Sequence, residues 1–62
     1  MKAVLHRHVG TLSTEYRSTT LADDAGKLEV EGTQGVISVK KEDGSVLAVA
    51  KLGESDYVKL ES

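Results

Sequence analysis

The 62-residue chain contains no cysteine, no phenylalanine, no tryptophan and no asparagine. Without cysteine there is neither a disulfide framework nor a thiolate metal site. Without Phe or Trp the chain lacks the side chains that bury the most area each, and its core must be aliphatic. A domain this short buries only about 60% of its unfolded surface. Such domains compensate with disulfides, a metal or oligomerisation, so self-association is the expected support here. No apolar run approaches the ~20 residues of a membrane span, and no secretory pattern follows Met1, where Lys2 leads into a mixed segment. Eight basic and ten acidic residues are interspersed, for a net charge of −2. That balance lacks the basic footprint of a nucleic-acid binder, and the two tyrosines stand far apart in sequence. One domain over residues 1–62, placed by default in the cytoplasm, is the expectation.

What the chain does have is alternation. Val, Ile and Thr recur with period two, and helical periodicity is nearly missing. The pattern predicts an all-β fold: a small antiparallel barrel or sandwich of about six strands, with a hairpin over 2–19 and a meander over 27–61. At most one short helical turn is expected, at 20–26. Thr20 suits its N-cap, Asp23 and Asp24 its dipole, and Gly26 its end; a plain loop is the competing reading.

Turn chemistry sets the expected registers. A two-residue Gly10-Thr11 loop pairs Val9 with Leu12, Arg7 with Thr14, Leu5 with Tyr16 and Ala3 with Ser18. Gly32-Thr-Gln-Gly35 reads as a four-residue turn setting Val30 against Ile37. Glu42-Asp43-Gly44 reads as a three-residue loop with Gly44 left-handed, setting Val39 against Leu47. Gly53–Asp56 then returns the chain so that Val49 faces Leu60. One sheet face thereby collects Leu28, Val30, Ile37, Val39, Leu47, Val49, Val58 and Leu60 and packs on the apolar side of the first hairpin.

The opposite face sets aliphatics among Ser38, Lys40, Lys59 and the glutamates, where an antiparallel sheet is expected to show water a polar side. It carries Val36, Val46, Ala48, Ala50, Leu52 and Tyr57, and this row is the predicted interface. The other candidate group is His6, His8, Glu15 and Arg17. The stretch VLHRHV puts both histidines on one strand face, and the hairpin register sets His6 opposite Glu15. Two imidazoles and a carboxylate are a plausible zinc or iron(II) set. On an exposed hairpin, however, they read better as a cross-strand pair, or as a ligand-binding group with Arg17, than as a metal centre. Asp23-Asp24 reads as helix-dipole compensation rather than a Mg²⁺ site, and Ala25-Gly26-Lys27 lacks the spacing of a phosphate loop. No catalytic residue, metal or cofactor is assigned, because no nucleophile has its elbow context or a buried orienting acid.

The expected function is a non-enzymatic, homo-oligomeric interaction module acting as an accessory, inhibitory or assembly protein. A small-molecule or anion binder with its site between subunits is the alternative, and a nucleic-acid-binding small barrel ranks last.

Overall fold

In the computed structural model, residues 1–10 and 15–62 are described. They form six strands: β1 Lys2–His8, β2 Tyr16–Asp23, β3 Leu28–Thr33, β4 Val36–Lys41, β5 Val46–Lys51 and β6 Tyr57–Glu61. All neighbouring pairs are antiparallel, in two three-stranded sheets ordered β2-β1-β6 and β3-β4-β5. The fold is all-β, with no helix among the described residues.

Gln34 and Gly35 hold left-handed φ of 55° and 80°, the geometry of a two-residue hairpin loop whose twist matches its strands. The turn is therefore shorter than the expected Gly32–Gly35 loop. Val30 pairs with Val39, not Ile37, and Gly32 enters β3 opposite Ile37. A Cβ at Gly32 would collide with the Ile37 side chain and lie 2.8 Å from the Val36 carbonyl oxygen, so the close approach of β4 needs glycine. The slip is two residues, and Val30 keeps its face.

The next loop is the three-residue one expected. Gly44 is left-handed at φ 91°, and the Lys41 N–H donates to the Ser45 carbonyl at 2.9 Å. A β-bulge then breaks the register. Lys40 pairs with Val46, but Val39 pairs with Ala48 and Ile37 with Ala50. Leu47 is the unopposed residue, and the extra position turns the rest of β5 over. Ala48 packs against the buried cluster of Ala3, Leu28 and Val39, while Leu47 and Val49 are 43% and 62% exposed. The expected Val39–Leu47 and Ile37–Val49 pairs are corrected accordingly.

Two further expectations change. β6 does not complete a meander on β5. It pairs with β1, placing Val58 opposite Leu5 and Leu60 opposite Ala3, so the Val49–Leu60 pair is not formed. In the first hairpin His8 pairs with Tyr16, Leu5 with Thr19 and, past a second irregularity between Ala3 and Val4, Ala3 with Ala22. The Val9 N–H donates to the Glu15 carbonyl. The connection is therefore longer than Gly10-Thr11, and the expected positions of Thr11, Leu12 and Thr14 lie outside the described residues. β2 also continues to Asp23, so residues 20–23 are strand rather than helical turn. The Asp24 carboxylate then accepts the Gly26 N–H at 2.9 Å, the side-chain-closed bend that Asp favours.

The core is small. Ala3, Val4, Leu5, Leu28 and Val39 are the buried apolar residues among those described. The accessible surface of 4414 Å² exceeds the roughly 3,900 Å² of a compact 6.6-kDa monomer. The Cα radius of gyration is 12.0 Å, against about 10.6 Å for a compact chain of this length.

Candidate interaction surfaces

Ala3, Val4 and Leu5 are buried in a row on β1, the central strand of its sheet. Ala3 and Leu5 face the second sheet. Val4, His6 and His8 face outward, as strand alternation requires. His6 pairs with Tyr57 on β6 and His8 with Tyr16 on β2. Both tyrosines and both histidines of the chain thereby meet on one outer face. The His6 and Tyr57 rings stack at 4.8 Å and 21°. Tyr16 stands edge-on to His8 at 5.4 Å and to Tyr57 at 5.4 Å. The two tyrosines come from strands on either side of β1 and meet over it. His6 Nδ1 lies 2.9 Å from the Ser18 hydroxyl, while Nε2 is buried without a hydrogen-bond partner among the described residues.

The predicted group of His6, His8, Glu15 and Arg17 is only partly assembled. The two histidines share the face, but His6 opposes Ser18 and not Glu15. Glu15 precedes β2, where its carbonyl closes the hairpin. Arg17 pairs with Arg7 and so points to the opposite side of the sheet from the histidines. Among the described residues no three His, Asp or Glu side chains gather as a metal-ligand set. The members missed are Tyr16 and Tyr57.

The end of β1 also carries an ionic clamp. The Asp56 carboxylate, its side chain 10% exposed, accepts the backbone N–H groups of His8 and Gly53, both at 2.8 Å. Arg7 reaches Asp56 at 3.4 Å and the Lys51 carbonyl at 2.8 Å. The Gly53 and His8 amides, followed by the Arg7 charge, hold the Asp56 carboxyl below the usual carboxylate range. This clamp draws the chain leaving β5 back to β1. Asp43 is lowered as well, first by the Ser45 hydroxyl and then by the Ser45 N–H.

The outer face of the second sheet holds the apolar residues. Val36 pairs with Lys51, Ser38 with Val49 and Lys40 with Val46. Because paired residues share a face, these six lie together, opposite the side of buried Val39. Val36, Val46 and Val49 are 45%, 54% and 62% exposed. A Lys40–Glu31 ion pair of 2.7 Å borders them, and an open hollow of about 280 Å³ lined by Glu31, Gly32, Thr33, Val36 and Ser38 lies alongside.

The predicted interface row is thus divided. Val36 and Val46 are outward. Ala48 and Ala50 face inward with Val39 and Ile37. Leu52 is half-buried and donates its N–H to the Gly35 carbonyl, and Tyr57 belongs to the ring cluster of the other sheet. Val49 is the outward residue that alternation without the bulge hides. Among the described residues no helix is long and apolar enough to cross a membrane. Comparison with protein-family models, with curated proteins and with solved structures gives no match.

Proposed function

We propose that this chain is a non-enzymatic interaction module that works in the cytoplasm as a homo-oligomer, in an accessory, inhibitory or assembly role. One observation carries the reading: Val36, Val46 and Val49 stand exposed on a single sheet face, in a molecule with some 500 Å² more surface than a compact monomer of its mass needs. Aliphatic side chains exposed at this level, rimmed by Lys40, Lys51 and Ser38, have the pattern of a protein-binding face. An oligomer is stabilised by mass action, so its melting temperature rises with protein concentration. A melting temperature constant over a hundredfold range of concentration rejects the reading.

The four-ring cluster favours a second reading, a small ligand bound over Tyr16 and Tyr57. Both tyrosines lie in that cluster and there is no Trp, so intrinsic fluorescence reports on this site alone. Screening small planar ligands by tyrosine emission tests it. A titration curve that vanishes in Tyr57→Ala supports the site, and an emission unmoved across the panel rejects it.

A further inference from the structure

We infer that the outer face of β5 docks on the same face of a second copy, about a two-fold axis that crosses the strands between Val46 and Val49. The inference rests on the homo-oligomer reading and adds the surface, the partner and the orientation.

Exposure is the first argument: Val46 and Val49, at 54% and 62%, are the most exposed large apolar side chains among the described residues. A second copy is the partner because the face complements itself. An isologous contact needs each residue to meet its counterpart's neighbour and the reverse. The proposed axis sets Val49 of one copy on Val46 of the other, and Val46 on Val49, so the two most exposed valines cover each other twice.

Charge then selects among the possible axes. Lys51 lies two residues beyond Val49, and the Glu42-Asp43-Gly44 loop ends two residues before Val46. At about 3.3 Å per residue these offsets are nearly equal. The proposed axis therefore lays each Lys51 over the partner's acidic loop. An axis parallel to the strands would instead bring Lys51 against Lys51, and like charges in an interface are costly. Among the described residues neither the Lys51 ammonium nor the Glu42 carboxylate has an ion-pair partner within the chain. Lys40 is already held by Glu31 at 2.7 Å, so of the flanking cations only Lys41 stands against Glu42 and Asp43.

The test is sedimentation equilibrium on the full chain, with circular dichroism confirming that each variant is folded. Wild type is expected to be a dimer. Val49→Arg, at a position 62% exposed, is expected to be a folded monomer. Lys51→Glu should weaken the dimer at least about tenfold, because each side loses a rim pair and sets a carboxylate against the partner's acidic loop. The double variant Lys51→Glu with Glu42→Lys should recover most of that loss. A monomeric wild type removes both this inference and the reading beneath it. A wild-type oligomer that survives Val49→Arg leaves the reading standing and removes this face. A charge swap that recovers nothing removes the proposed axis.

Discussion

The carboxylate of Asp56 accepts the backbone N–H of His8 at 2.8 Å, across 48 residues of sequence. That bond, with the one from Gly53, fixes where β6 begins and so which sheet it joins. Asp56→Ala should lower the melting temperature and abolish hydrogen-exchange protection at the His8 and Gly53 amides, while Asp56→Asn should retain part of both. Unchanged protection at those amides in Asp56→Ala would show that the clamp does not position β6.

The same carboxylate makes stability depend on pH. Asp56 and Asp43 are held below the usual carboxylate value near 3.9, so the unfolded chain binds their protons more readily than the folded one. Stability from a depressed carboxyl is complete above its unfolded pKa and is lost as pH falls through the folded value. The melting temperature should therefore be flat with respect to these groups above about pH 5 and fall below about pH 4, with a shallower fall in Asp56→Asn. An acid slope identical in Asp56→Asn would assign the acid sensitivity to other groups.

The bulge at Leu47 predicts opposite behaviour for adjacent residues. Ala48 packs on the buried cluster, so Ala48→Leu should overpack the space between the sheets and cost about 1–3 kcal/mol. Val49 faces away from the core, and at protein concentrations low enough to keep the chain monomeric Val49→Leu should change stability by no more than about 0.5 kcal/mol. Urea denaturation of both variants gives the comparison. The reverse order of costs would mean that β5 runs without the bulge.

Much of the architecture is legible from the residues themselves. Alternation identifies the strands, and Glu42-Asp43-Gly44 carries the signature of its loop. The two bulges are not legible. Val46-Leu47-Ala48-Val49-Ala50 is apolar in both parities, so burial cannot choose a register, and one unopposed residue decides which side of β5 faces the core. The partner of β6 is hidden for a similar reason, since it depends on Asp56 reaching a backbone amide in a distant strand. Of the ring cluster, His6 and His8 are legible because strand alternation alone sets them on one face. Tyr16 and Tyr57 are not, because the first requires the long first connection and the second requires the β1–β6 pairing.

The ring cluster should act as a small outer core. Tyr57→Ala removes the stack on His6 and the edge contact with Tyr16. Each aromatic pair contributes about 0.5–1.5 kcal/mol beyond its area, so the variant should lose about 1–3 kcal/mol and Tyr57→Phe less than about 0.5. Ring-current shifts of the His6 protons in the NMR spectrum should persist in Tyr57→Phe and disappear in Tyr57→Ala. Equal stability of wild type and Tyr57→Ala would make the cluster a surface coincidence.

The account turns on the claim that the outer face of the β3-β4-β5 sheet is covered by another copy of the chain. The most direct measurement is the solution mass of the wild-type chain by light scattering at tens of micromolar. The account predicts about twice the 6.6 kDa of a single copy. A mass of 6.6 kDa, unchanged as concentration rises, would contradict it and leave Val36, Val46 and Val49 as ordinary exposed side chains.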